Sequence, residues 1–138
     1  MLKNYLIIKL FLSFIIPYII LYAIYIQLNG EVSPGGGFQA GVIFASGIIG
    51  YELIQEKTVF LKNISVNMLY IIGVFGASIY GLTGALPMLL FNESFLNYNS
   101  LGSNNLAGQH LGIFLIEIGV GLTVSSVMCL IYMLLRED

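Results

Sequence analysis

The chain has 138 residues, 58% of them hydrophobic and only 9% charged, with a mean hydropathy of +0.93. A water-soluble domain is usually about 45–50% apolar and about 25% charged, so this composition belongs to the membrane class. The net charge of −2 argues against a nucleic-acid partner, which calls for a basic face, and the single cysteine, Cys129, rules out an internal disulfide.

A membrane-crossing helix needs roughly 20 predominantly apolar residues. Four segments meet that requirement, at about 5–28, 38–54, 66–91 and 108–135. The predicted fold class is therefore an all-α membrane protein of four transmembrane helices, with residues 1–138 as one domain. Residues 92–107 make the longest connection, which leaves no soluble domain.

The first apolar run, 10–28, exceeds the roughly 7–15 residues of a signal-peptide core. It ends in Tyr25, Ile26, Gln27 and Leu28, without a small-x-small cleavage site, so a retained helix is expected. Pro17 predicts a kink near its middle. The stretch NGEVSPGGGFQAG, residues 29–41, joins spans one and two. Ser33 fits a helix N-cap and Pro34 the first turn after it. Gly35, Gly36 and Gly37 allow unusual backbone angles and close approach of another chain before Phe38 and Gly41 open span two. Exposed amides there would also attract an anion, but the pattern matches neither GxGxxG nor a phosphate loop, and a packing turn is the expected role.

Span two closes with Glu52, which either reaches the interface or pairs with Lys9 of span one. Span three carries Gly73, Ala77, Gly81 and Ala85 at four-residue spacing, with Gly76, Tyr80 and Gly84 beside them. Small residues let helices pack closely in lipid, so these rows, with Gly119 and Gly121 of span four, are the expected helix-packing surfaces. Either the four helices satisfy the rows within a compact bundle, or at least one row meets another subunit.

Span four holds Glu117, with hardly a charge around it. A carboxylate inside a span is costly and is a functional candidate by default. About ten residues in, it would lie about 15 Å from the outer end, near the middle of a core about 30 Å thick. His110 precedes it by two turns on the same face, about 10 Å away, a reach that water can bridge. One reading is a proton or cation path along that face; the other is a protonated Glu117 bonded to a neighbouring helix, since burial disfavours its charged form. Cys129 is expected to behave as a small hydrophobe. One histidine and one cysteine make no metal site, and no nucleophile–base pair is visible, so catalysis is not expected.

Lys3, Lys9, Lys57, Lys62 and Arg136 all fall on one side of this double hairpin. By the positive-inside rule both termini are cytoplasmic. A cysteine-accessibility scan of residues 97–105 checks this, with labelling from the outer side as the expected result.

Two stretches, SPGGGFQAG at the start of span two and FLIEIGVGLTV in span four, carry a family likeness. The sequence resembles the B-type subunits of the multisubunit Mrp-type sodium/proton antiporters, over nearly the whole chain. That family carries a PGGGF signature followed by small residues, and an acidic-x-Gly-Val stretch in its last helix. The latter is matched by Glu117, Ile118, Gly119 and Val120. The family's acid is commonly Asp, so Glu117 is one methylene longer, and Ala40 stands where a further glycine is common. The resemblance implies a small, non-catalytic, multi-pass subunit in the cell membrane, without cofactor or metal. Its implied partners are the other membrane subunits, the lipid bilayer, and sodium and protons as transported ions. Related subunits occur in membrane-bound hydrogenases akin to respiratory complex I, so a redox-driven complex is the alternative host. A free-standing small channel or scaffold is the third.

Overall fold

The computed structural model describes residues 6–30, 35–54, 65–92, 94–102 and 104–137. Four helices account for most of them: α1 Leu6–Leu28, α2 Gly37–Ile54, α3 Val66–Phe91 and α4 Asn105–Glu137. Each is long and apolar enough to cross a membrane. Among the described residues there is no strand. Lys3, Lys57 and Lys62 lie outside the described residues.

Local chemistry sets several of the ends. Ser65 caps α3, its hydroxyl accepting from the Met68 amide at 3.2 Å. Asn92 closes α3 in the left-handed conformation, φ 53°, with its amide donating to the Pro87 carbonyl. Pro17 sits inside α1 without ending it. The start of α2 differs from the sequence expectation. Gly36 stands at φ +131°, a region that side chains rarely adopt, so the helix cannot run back through it. Its first turn begins at Gly37, with the Ala40 amide donating to the Gly36 carbonyl at 3.0 Å. Ser33 and Pro34 lie outside the described residues, ahead of this break.

The helices form an open row, not a closed bundle. Its order is α1, α2, α4, α3, and α4 also touches α1. The backbones of α2 and α3 stay more than 8 Å apart. Glycines set the seams. A Cβ on Gly41 would stand 2.7 Å from the Gly121 carbonyl, joining α2 to α4. A Cβ on Gly76 would stand 2.6 Å from the Gly119 carbonyl, and one on Gly119 would stand 2.7 Å from the Gly76 carbonyl, joining α3 to α4. Such approach maximises dispersion contact, which drives helix association where lipid removes the hydrophobic incentive. The end of the row that carries both termini is named inner, and the opposite end outer, after the sidedness that the basic residues predict. Towards the inner end, Ala45, Leu69, Cys129 and Leu130 form a buried apolar cluster.

The four-residue row on α3 divides. Gly73 is buried against Ser126, Ala85 is half-buried, and Ala77 and Gly81 face outward. Among the described residues nothing comes within 4 Å of a Cβ on Gly81. At the inner end, Glu52 is 2% exposed and accepts from Arg136 Nη1 at 2.8 Å. The sequence offers Lys9 as a partner for Glu52 if the acid does not reach the interface; the structure adds Arg136, 84 residues further on, which the sequence did not suggest.

The outer ends are stepped. Level with Glu117, α1 has just ended and α2 is just beginning. Helices α3 and α4 continue past that level for ten to twelve residues, about 15–18 Å. The described residues 94–102 fold over this extension. The Tyr98 ring packs on Gly112, its carbonyl on Gly108, and Gln109 Nε2 donates to Asn99 Oδ1 at 2.8 Å. Burial, then the nearby Tyr80, holds the Tyr98 phenol above its usual pKa, so it stays neutral.

Candidate functional site

Glu117 is brought to the glycine turn by two short contacts. The buried Gly37, first residue of α2, lies against the Glu117 carbonyl so closely that a Cβ on it would overlap that oxygen. This pins the α4 backbone to the mouth of α2. The Glu117 side chain then runs towards the end of α1, where its carboxyl group fills the space a side chain on Gly30 would take. A Cβ on Gly36 would stand 3.4 Å from Oε1. The residue is half-buried and Oε2 is fully so.

Helix four alone suggested a mid-membrane position for this acid. Its neighbours place it level with the outer ends of α1 and α2. The carboxyl therefore lies beside non-helical backbone. At membrane depth such backbone persists only where it is covered by protein or lines a cavity. In this geometry a carboxyl can accept directed donors when charged and donate its proton when neutral.

The other candidates from sequence fall into two groups. Gly35, Gly36, Gly37 and Gly41 all belong to the turn or to the α2–α4 seam, with Gly121 as their buried counterpart along α4, while Gly119 is buried on the α3–α4 seam. Pro34 lies outside the described residues, and Phe38 is exposed on the flank of α2. His110 is exposed about 10 Å beyond Glu117, and of these two it is Glu117 whose side chain packs on the glycines. Among the described residues no group of three metal-ligating side chains occurs.

Sequence reasoning missed two residues here. Gly30 carried no signal apart from its place after a span. Gln27 did carry one, as the only amide in α1, and its Oε1 occupies the space a side chain on Gly121 would take. It borders a cleft of about 210 Å³ among α1, α2 and α4, lined chiefly by Ala23, Ala40, Phe44, Ile118 and Leu122.

Residues 7–130 match the family model described as a domain related to the MnhB subunit of Na+/H+ antiporter. The chain belongs to the MnhB family. It is 30% identical over 115 residues to the Na(+)/H(+) antiporter B subunit of Bacillus subtilis (strain 168), covering 77% of this chain and 80% of that relative. It is 29% identical over 128 residues to the putative antiporter subunit mnhB2 of Staphylococcus haemolyticus (strain JCSC1435), covering 88% and 87%. The corresponding protein of Staphylococcus aureus (strain Newman) is 27% identical over 128 residues, covering 91% and 89%. MnhB membership agrees with the Mrp-type resemblance carried by SPGGGFQAG and the Glu117 stretch. It makes the chain a member of a transporter-subunit family, with four helices suited to a membrane.

Proposed function

We propose that the chain is a non-catalytic integral subunit of a multisubunit sodium/proton antiporter in the cell membrane, with both termini cytoplasmic. Its outward-facing Ala77 and Gly81 give a neighbouring membrane subunit a smooth surface for close packing. Glu117 is the group that handles a proton or cation, at the outer mouth of the α1–α2 hairpin. The supporting observation is the placement of its carboxyl group against Gly30 and Gly36, where a bare main chain replaces side chains. The names of the relatives favour the antiporter over a redox-driven host.

Two substitutions separate the roles. Glu117→Gln keeps shape and hydrogen bonding but cannot ionise. It is expected to assemble normally and to lower sodium/proton exchange in membrane vesicles by about tenfold or more, corresponding to about 1.4 kcal/mol or more in the limiting step. Glu117→Ala is expected to lose exchange as well. Full exchange with Gln, together with lost assembly for Ala, would make the role structural and defeat the proposal.

A further inference from the structure

We propose that Gln27 is the hydrogen-bond partner of Glu117 in the working protein, its amide following the carboxyl group through gain and loss of a proton. The inference rests on the reading that Glu117 handles a proton or cation.

Three observations converge on the pair. Gln27 Nε2 is buried and has no acceptor among the described residues, a costly condition for an amide donor. Glu117 Oε2 is buried at the same junction. Gln27 packs on Gly121, one helical turn along α4 from Glu117, while Glu117 packs on Gly30, three residues beyond Gln27. Gln27 thus reaches across to α4, and Glu117 reaches back to the residue just beyond α1, one turn further out, so the two side chains lie at adjacent levels of one gap. The last torsion of glutamine is soft, so a small rotation redirects Nε2.

The chemistry suits this task. A primary amide donates from nitrogen and accepts at oxygen. Its nitrogen serves a carboxylate, and its oxygen serves a protonated acid. Lysine would fix the charged form and leucine the neutral one; glutamine serves both. The cleft beside it is apolar, and its other polar side chain, Ser125, already donates to the Leu122 carbonyl at 3.1 Å. A charge in such surroundings depends on directed donors.

The titratable groups nearest the site, among the described residues, are Tyr25 on α1, Tyr80 on α3 and His110 on α4. Helix α2 offers none before Tyr51 and Glu52 at its inner end. Glu31 lies outside the described residues and is kept in every variant.

The test uses the intact complex and dicyclohexylcarbodiimide, an apolar reagent that modifies protonated carboxyl groups. Labelling of the Glu117 peptide is followed by mass spectrometry across pH, with Glu117→Gln as the blank. Gln27→Met keeps length and removes the donor; the labelling midpoint is expected to rise by about one pH unit, and the exchange profile to move the same way. Gln27→Glu keeps shape and adds a second acid, and is expected to raise the midpoint further, since like charges disfavour ionisation. If Gln27→Met does not assemble, Gln27→Glu decides. An unmoved midpoint overturns the pairing. So does loss of assembly in both variants, which makes Gln27 a support of the α1–α4 contact. Full exchange by Glu117→Gln removes the transport role but leaves a midpoint shift readable; an unmoved midpoint removes the pair with the transport role intact.

Discussion

Gly37→Ala is expected to reduce recovery of the assembled complex in mild detergent by about tenfold or more. One methyl group is a small change, and its position makes it severe. The new Cβ would overlap the Glu117 carbonyl oxygen, which is main chain and cannot rotate away. Relief requires α2 and α4 to separate at their outer ends, where Gly41 and Gly121 also meet. Overpacking of this kind costs about 1–3 kcal/mol, and about 1.4 kcal/mol is tenfold in an equilibrium. Glu117 would be carried out of the glycine turn, so exchange should fall with assembly. Gly81→Leu is the control. It adds a much larger group where none of the described residues stands within 4 Å. The isolated chain should keep its melting temperature, while the complex should lose recovery if a neighbouring subunit covers that face. A chain destabilised by Gly81→Leu, or a Gly37→Ala complex recovered in full, would contradict this description of the seams.

Arg136→Gln is expected to destabilise the inner end by about 2 kcal/mol, read as a lower melting temperature of the solubilised chain. The substitution removes a 2.8 Å ion-pair partner of a carboxylate whose side chain is 0% exposed. Breaking a fully buried pair from one side costs about 3–5 kcal/mol. Arg136 is itself 44% exposed, so water screens part of that. Adding Glu52→Gln should restore most of the loss, because the buried group no longer carries charge. The double-mutant cycle should return a coupling that either single change alone would hide. Equal melting temperatures for the parent and Arg136→Gln would remove the ion pair from the account of stability.

The helices themselves were legible because each needs only its own stretch of apolar residues to declare it. Glu117 was legible for the same reason, as an acid with no local excuse. What the linear pattern hid were relations between distant positions. Ser-Pro before the glycines read as a helix start, yet the left-handed angle at Gly36 moves that start to Gly37. Glu52 had a lysine at the right depth on span one, and only the row order brings Arg136 to it. The depth of Glu117 was measured along its own helix, whereas its surroundings depend on where α1 and α2 stop. Gln27 looked like an ordinary span end because its counterpart, Gly121, lies on another helix. The row order α1, α2, α4, α3 has no signature in hydropathy, since every helix is apolar on all sides.

The fit of Glu117 into the place of a missing side chain at Gly30 has a bearing on how such sequences diverge. The two positions share one fixed volume. A chain that shortens the acid to aspartate releases a methylene's worth of room at the end of α1, and position 30 is then free to accept alanine. A chain that keeps glutamate favours glycine there, since any larger residue must turn the acid aside. Residue sizes at 30 and 117 should accordingly vary inversely among sequences that retain this turn, and their pairing would mark a contact that neither position discloses by itself.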